Sequence, residues 1–229
     1  MIRLENVGKE FDTGFSLKDL NLSIEMGEKV SIFGPNGAGK TTFLKILSGL
    51  VTPSSGSLTI GGYAFTKRVE ILKNLGLVPQ QGHFYEALSV RQNLEFYGKL
   101  YGLQKQELTK TMTWLLTEFN LLTKLDVKIS QLSKGMKQRL LITKALLHDP
   151  HLLLLDEPYS GLDLQSSEFL FDFISSMKDK TVITATHDFD TGLREGQRII
   201  IFNKGSIVFD GQWIETIPAF KEFYRKMVG

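Results

Sequence analysis

Residues 34–41 read Gly-Pro-Asn-Gly-Ala-Gly-Lys-Thr, which fits the pattern G-x-x-x-x-G-K-[ST]. The loop follows an apolar segment, residues 30–33, and precedes a segment with the pattern of a helix, residues 40–48. A strand before the loop and a helix after it form the context in which this pattern binds phosphate. The sequence therefore predicts a strand, a phosphate-binding loop and a helix in succession, as in an α/β fold.

The residue types in this loop suit a polyphosphate ligand. Glycines let consecutive backbone N–H groups point inward without side chains in the way, and the helix N-terminus behind them carries about half a positive charge. We expect Lys40 to reach the β- and γ-phosphates and the Thr41 hydroxyl to hold Mg²⁺. The predicted nucleotide-binding residues of the loop are Gly34, Pro35, Asn36, Gly37, Ala38, Gly39, Lys40, Thr41 and Thr42.

Composition narrows the possible functions. The chain has 229 residues, no cysteine and a net charge of +2. Disulfides, a thiolate nucleophile and cysteine-based metal sites are therefore excluded, and no strong field would attract nucleic acid, so we expect no nucleic-acid partner. No uncharged apolar run approaches the ~18 residues that span a bilayer, and the N-terminus lacks the apolar stretch of a signal peptide. We expect a cytoplasmic protein, which reaches the cytoplasmic face of a membrane only by docking on a spanning partner.

The period of the hydrophobic residues changes twice along the chain. Residues 1–85 and 151–229 contain apolar strand patterns, whereas residues 86–150 have helical spacing, beginning with a capping box at Ser89 and Gln92. Strands are predicted at Ile2–Val7, Leu17–Ile24, Lys29–Phe33, Ser57–Ile60, Leu75–Val78, His151–Leu155, Thr181–Thr186, Ile199–Asn203 and Ser206–Phe209. Apolar strands alternating with helices, such as the predicted helix Leu164–Met177, indicate a parallel sheet covered on both faces. A basic amphipathic helix from Pro218 is expected to pack on the core, the alternative being contact with lipid.

Two acidic residues and a histidine follow apolar strands. Asp156 and Glu157 come directly after the strand at residues 152–155, and His187 follows the strand at residues 182–185. Parallel sheets present ligands at the carboxyl ends of their strands. We therefore expect Asp156 to order Mg²⁺, Glu157 to orient or deprotonate an attacking water, and His187 to contact the γ-phosphate. The alternatives are a solvated turn for the two acids and a structural role for His187.

A second candidate phosphate site begins at residue 133. Ser133 is a good helix N-cap, and Gly135 leaves the backbone open, so the start of this helix can also receive a phosphate. On its own, this segment is equally typical of a capped helix with a basic face.

Taken together, the motifs resemble those of the ATP-binding subunit of an ABC transporter over essentially the whole chain. They occur in the family's order: Walker A at Gly34–Thr41, the Q-loop at Gln80, the signature at Leu132–Met136, Walker B at Leu152–Glu157, the D-loop at Ser160–Asp163 and the switch histidine at His187. The resemblance implies a P-loop NTPase core with a mainly parallel sheet, an N-terminal antiparallel β subdomain and an inserted α-helical subdomain. It divides one domain, residues 1–229, into a nucleotide-binding core (1–85 and 151–229) and a helical subdomain (86–150).

The resemblance also implies roles at the chain's own nucleotide. Phe11 is the expected stacking partner of adenine, with Phe15 as the less favoured candidate and a core aromatic as the alternative for either. Gln80 would touch Mg²⁺ and link the site to the helices. The implied catalytic residues are Lys40, Gln80, Glu157 and His187, and the implied Mg²⁺ ligands are Thr41, Gln80 and Asp156.

Other implied roles involve partners. Two such chains, expected to be identical, would pair head to tail, so that Ser133 and Gly135 bind the partner's ATP and Asp163 crosses the interface. Phe84 and Tyr85 would dock on a transmembrane permease subunit, unless they fold back onto the chain. The signature departs from the common pattern at Lys134, where the family has glycine, which adds a positive charge near the partner's phosphate.

We expect an ATPase that drives transport through a separate membrane subunit, with residues 88–102 most like those of exporters. A soluble ABC ATPase of iron–sulfur assembly or repair is the alternative, and a nucleotide-gated adaptor without hydrolysis is the third reading. A GTPase is disfavoured, because residues 203–206 read Asn-Lys-Gly-Ser rather than the Asn-Lys-x-Asp that reads guanine.

Overall fold

The computed structural model describes residues 1–12, 14, 16–196 and 198–229. Its strands are β1 Ile2–Glu10, β2 Ser16–Ile24, β3 Lys29–Phe33, β4 Ser55–Ile60, β5 Tyr63–Ala64, β6 Leu75–Val78, β7 Leu152–Asp156, β8 Thr181–Ala185, β9 Arg198–Asn203 and β10 Ser206–Gly211. Its α-helices are α1 Lys40–Leu47, α2 Arg68–Leu72, α3 Val90–Leu100, α4 Lys105–Glu118, α5 Lys134–Leu146, α6 Leu164–Ser176, α7 Phe189–Glu195 and α8 Ile217–Val228.

The strands form two sheets. The larger has the order β10-β9-β3-β8-β7-β6 and is parallel except for the β9–β10 hairpin. The smaller has the order β2-β1-β4-β5 and is antiparallel throughout. This arrangement, with the helices, confirms the predicted α/β class and the antiparallel sheet near the N-terminus.

The pairing of the parallel strands decides where ligands can bind. Ile32 of β3 and Asp156 of β7 both pair with Ala185 of β8, and Val78 of β6 pairs with Leu155 of β7. The four strands therefore end at the same edge of the sheet. The loops that follow them, which carry the predicted site residues, start side by side.

Both faces of the parallel sheet are covered, which explains the continuous apolar runs. Every residue of β7 and β8 is buried, as expected for parallel strands with helices on both sides. Helix α1 packs on β7 and β8, and α5 packs on β6. The apolar side chains of α3, α4 and α5 share a buried cluster with Leu153, Leu155 and Val182. The division of the chain at residues 86 and 150 stays a prediction.

Three short elements were not predicted from the sequence. They are β5 with two residues, α2 with five and α7 with seven. Elements of this length contain at most two helical turns or one alternation, so they leave little periodic signal. The strand β1 also continues three residues beyond the predicted end at Val7.

The C-terminal helix packs on the core, as expected. Thr216 caps α8 by accepting a hydrogen bond from the backbone N–H of Ala219. The Phe220 ring is fully buried, with its centroid 5.2 Å from that of Phe33. The apolar face of α8 is therefore used in folding.

We predict opposite outcomes for two leucine truncations. Leu154→Ala, at a fully buried position in β7, should cost about 2–5 kcal/mol, because it leaves a cavity in a packed sheet. Leu164→Ala, at a position 79% exposed at the start of α6, should change stability by less than about 0.5 kcal/mol. Urea unfolding followed by circular dichroism measures both, and equal effects would contradict the assigned burial.

Candidate nucleotide site

The loop after β3 needs glycine at defined positions. Gly37 and Gly39 have φ of 80° and 112°, values that favour glycine, and Gly39 is the N-cap of α1. A Cβ atom at Gly34 would collide with the carbonyl oxygen of Phe202 in β9. The loop can therefore approach β9 closely and expose its backbone at the start of α1.

The β9–β10 turn is hydrogen-bonded to the loop of residues 34–39. The backbone N–H of Gly205 donates to the carbonyl of Ala38 at 3.0 Å, and the N–H of Ala38 donates to Pro35 at 3.1 Å. The sequence predicts a hairpin turn at Gly205, but nothing in the turn's own pattern shows that it contacts a loop some 165 residues earlier.

Lys40 is enclosed by the loop that it closes. Its side chain is largely buried, with 8% of the residue exposed, and Nζ donates to the carbonyl oxygens of Gly34 at 2.6 Å and Pro35 at 3.3 Å. Burial lowers the pKa of Lys40, and the nearby carboxylates of Glu157 and Asp156 oppose that shift. The ammonium group thus lies between the loop and the acidic end of β7.

A cleft of about 450 Å³ brings most of the predicted residues together. Its lining consists of Pro35, Asn36, Gly37, Ala38, Gly39, Lys40, Thr41, Thr42, Gln80, Asp156 and Glu157. Asp156 is buried, which raises the pKa of its carboxyl, while a hydrogen bond from the Thr41 hydroxyl acts in the opposite direction. A hydroxyl, a carboxylate and an amide, each with an oxygen that can bind a metal ion, therefore line the same cleft.

Glu157 and His187 form a close pair at the ends of β7 and β8. Nδ1 of His187 lies 2.8 Å from Oε2 of Glu157. The Thr186 hydroxyl and the His187 backbone N–H also lie within 3.4 Å of that oxygen. Glu157 has a φ of 51°, unusual for a residue other than glycine, and such backbone strain is concentrated at functional sites. The side chain of Glu157 is 12% exposed, whereas that of His187 is 74% exposed.

Phe11, one of the two predicted adenine partners, is not among the residues that line this cleft. Phe11 lies outside the cleft, with Nζ of Lys9 5.3 Å from its ring centroid. Phe15 falls outside the described residues. Stacking of Phe11 on adenine stays a prediction.

The predicted signature and D-loop residues are not among those that line the cleft. Ser133 and Asp163 cap α5 and α6 by accepting from the backbone N–H groups of Met136 and Ser166. Gly135 is in the first turn of α5. Their role toward a partner's nucleotide stays a prediction.

One connection was missed in the sequence. Nε2 of Gln138, buried in α5, donates to the carbonyl of Pro158 at 2.9 Å. It fixes the segment after Glu157 to the signature helix. Glutamine at a helix position followed by leucines gives no signal of such a long-range partner.

Comparison with known proteins identifies the family. The family model described as "ABC transporter" matches residues 17–160, more than half of the chain. The chain belongs to the ABC transporter family. It is 36% identical over 214 residues to the linearmycin resistance ATP-binding protein LnrL of Bacillus subtilis, covering 92% of this chain and 69% of that protein. It is 34% identical over 200 residues to the ABC transporter ATP-binding protein NatA of the same species, covering 86% and 81%.

Solved structures agree with this assignment. An ATP-binding subunit of an ABC transporter superposes with a TM-score of 0.89 at 27% identity, covering 99% of both chains. A dimeric ATP-binding cassette in a post-hydrolysis state, bound to ADP and Pi, has a TM-score of 0.85 at 30% identity and covers 94% of this chain and all of that one. This ABC subunit binds and hydrolyses ATP to power transport. Among the described residues, no helix has the length and apolar character that a bilayer crossing requires.

Lys40→Ala should weaken ATP binding at least tenfold, because it removes the cation that we expect to bond to phosphate oxygens, an interaction of about 1.5–3 kcal/mol. Lys110→Ala, on the exposed surface of α4, is the control and should bind as the unmodified chain does. Titration with a fluorescent ATP analogue measures both affinities. Equal affinity of the two variants would contradict the assignment of Lys40 to the triphosphate.

Proposed function

We propose that this chain is the ATPase subunit of an exporter, using Glu157 and His187 to hydrolyse ATP between two copies of the chain. The 2.8 Å contact between these two side chains, at the sheet edge that also carries Lys40, supports this most directly. Export is favoured by the names of relatives, such as the Nod factor export ATP-binding protein I of Cupriavidus metallidurans. That protein is 32% identical over 222 residues, with 96% of this chain and 73% of that protein covered.

The residues around Asp156 fit Mg²⁺. Magnesium in such enzymes is held by one or two carboxylates together with substrate phosphates and water. No group of three His, Cys, Asp or Glu side chains that could hold a metal alone is found in the described part of the chain. Thr41, Asp156 and Gln80, which share the cleft, are the proposed ligands. When bound, the ion would neutralise charge that develops on the β- and γ-phosphate oxygens.

Glu157 is the residue proposed to orient or deprotonate the attacking water. Its carboxylate is held by His187 at one oxygen and faces the cleft that contains Lys40. A carboxylate can accept a proton from water or orient it for in-line attack. His187 is mostly exposed beside it and can contact the γ-phosphate, so that loss of this phosphate changes the contacts at the end of β8. Lys40 would stabilise charge on the transferred group.

A second copy of the chain would complete the site. The start of α5, with Ser133 and Gly135, is not part of the cleft lining, and the N-terminus of a helix favours an anion. A partner's ATP is the proposed ligand of this helix end, and Asp163 the proposed residue at the interface. The side chain of Lys134 lies across Gly161, where an added Cβ would come within 2.6 Å of Lys134 Cε. Glycine at position 161 therefore leaves room for this lysine beside the D-loop.

Tyr85 is the proposed contact with the membrane subunit. Buried Asn93 fixes the loop, since its side chain accepts from the Tyr85 N–H at 2.9 Å and donates to the Tyr85 carbonyl at 3.1 Å. The Tyr85 ring is half exposed and lies 5.1 Å from the exposed ring of Phe96. Phe84 instead turns toward α3 and α5, with Lys144 Nζ 5.2 Å from its ring. A fixed loop with an outward aromatic pair suits a protein partner.

Glu157→Gln should reduce ATP turnover by about 100-fold or more, since it removes the proposed base, and should leave ATP-dependent dimers that persist. Phosphate release and size-exclusion chromatography with ATP measure the two effects. Glu222→Gln, an exposed acid of α8, is the control and should behave as the unmodified chain. Unchanged turnover in Glu157→Gln would remove this residue from the catalytic role.

Tyr85→Ala should release the chain from membranes of the host cell, with the ratio of membrane-bound to free chain about 30-fold lower, as for an interface tyrosine worth about 2 kcal/mol. Tyr63→Ala, which removes an exposed tyrosine of β5, is the matched control. Fractionation of host lysates followed by immunoblotting measures both. Recovery of the unmodified chain only with cytosolic proteins would favour a soluble ABC ATPase instead.

A further inference from the structure

The proposed mechanism leaves one buried acid unused. Glu195, the last residue of α7, is only 4% exposed. Its Oε1 accepts a hydrogen bond from the Thr184 hydroxyl at 2.9 Å, and its Oε2 accepts one from the Tyr159 hydroxyl at 3.0 Å. Burying a carboxyl group is costly unless its oxygens are bonded, and an apolar side chain would fill this space without that cost.

The cluster joins the two segments that carry Glu157 and His187. Tyr159 follows Glu157 by two residues, and α7 begins two residues after His187. Glu157 contacts His187 at 2.8 Å, and Tyr159 contacts Glu195 at 3.0 Å. Residues 157–159 therefore contact the chain just before α7, at His187, and the last residue of α7, Glu195. These two contacts close a ring.

Helix α7 is itself fixed against the sheet. The Ser31 hydroxyl in β3 donates to the carbonyl of Gly192 at 2.7 Å. A Cβ atom at Gly192 would lie 2.5 Å from Cζ of Phe33 and 2.8 Å from a methyl carbon of Thr186. Only a residue without a side chain lets α7 come this close to the strand that leads into the phosphate loop. The ring is therefore anchored to a rigid element, as precise positioning requires.

We propose that Glu195 is a positioning residue for ATP hydrolysis. As a carboxylate it holds the Tyr159 hydroxyl, and through Tyr159 it fixes the segment of Glu157 and the D-loop relative to α7 and His187. This inference rests on the roles proposed above for Glu157 and His187. It adds a residue that touches neither nucleotide nor water and acts through Tyr159.

The surroundings of Glu195 make this arrangement sensitive to pH. Burial raises the pKa of Glu195 to about 7, and the hydroxyl hydrogen bonds and the Lys29 ammonium of β3 oppose that shift. Arg194 of α7 and Asp188, the N-cap residue of that helix, act electrostatically on Tyr159. On the remaining side, Lys29 Nζ donates to the carbonyls of Ile174 and Ser175 at the end of α6, and Arg194 pairs with Glu168.

Protonation of Glu195 would weaken the hydrogen bonds that close the ring of contacts. It would nevertheless raise the free energy of unfolding, because the folded chain binds this proton more tightly than the unfolded chain does. A protonated carboxyl oxygen becomes a donor, so the hydrogen bond at that oxygen must reverse or weaken, and Glu195 no longer accepts two charge-assisted bonds. Turnover should therefore fall as pH decreases through 7. Because the folded-state pKa lies above the ordinary value of 4.5, the folded chain binds more protons than the unfolded chain in that range, and this group's contribution to stability rises as pH falls. Opposite trends of turnover and stability distinguish positioning from a purely structural role.

The test compares Glu195→Gln and Tyr159→Phe with the unmodified chain from about pH 8 to about pH 6. Each variant removes one hydrogen bond of the ring, so kcat at about pH 8 should fall about fivefold, the scale of one hydrogen bond. Affinity for a fluorescent ATP analogue should change less than twofold. In Glu195→Gln, the loss of turnover near pH 7 and the opposite change in melting temperature should both disappear. The double variant should be no slower than the worse single one, because both remove the same contact.

Two further variants separate failure of the Glu195 role from failure of the proposed function. Glu168→Gln removes an exposed ion pair that also holds α7, and it should leave kcat unchanged, because such pairs contribute little. Glu157→Gln in the same assay tests the proposed catalytic role separately. If Glu157→Gln abolishes turnover while Glu195→Gln and Tyr159→Phe keep the pH profile and kcat of the unmodified chain, the role of Glu195 is wrong and the proposed function stands. If Glu195→Gln does not fold, Tyr159→Phe alone tests the role of Glu195, since that variant keeps the buried aromatic side chain and loses only the hydroxyl.

Discussion

The pairing of β3 and β7 with β8 is the constraint on which the rest of the structure depends. Ile32 and Asp156 share Ala185 as their partner, so Gly34, Asp156 and the residues after β8 begin their loops at one edge. A shift of the register by one residue would turn every side chain of a strand to the opposite face. The positions of the phosphate loop, the proposed metal ligands and the Glu157–His187 pair all follow from this alignment.

The sequence predicts those parts of the site whose signal is local. Walker A is a continuous pattern with its strand and helix, and Asp156, Glu157 and His187 each follow a run of buried apolar residues, so the end of the run marks the sheet edge. Parallel strands in α/β folds meet at that edge, so residues more than a hundred positions apart could be placed together. The structure brings Gln80 to the same cleft.

The parts that were missed depend on contacts distant in the sequence. Helix α7 has only seven residues and two glycines beside it or within it, a pattern that predicts a loop better than a helix, yet tight packing on β3 stabilises it. Gln138, Glu195 and Gly205 each have a hydrogen-bond partner at least 20 residues away, namely Pro158, Tyr159 and Ala38, and their own neighbours give no sign of these contacts. The hydrogen bonds by which these polar residues hold loops in place form only when the sheet has assembled, so the local sequence does not reveal them.

In the proposed site, one glycine-lined loop holds a triphosphate while Thr41, Asp156 and Gln80 hold its metal. A crystal structure of the chain with a non-hydrolysable ATP analogue and Mn²⁺, the metal located by anomalous scattering, tests this most directly. We expect the phosphates against the backbone N–H groups of residues 34–41 and the metal between the Thr41 hydroxyl and the Asp156 carboxylate. A nucleotide bound elsewhere, or a metal peak remote from Asp156, would contradict it.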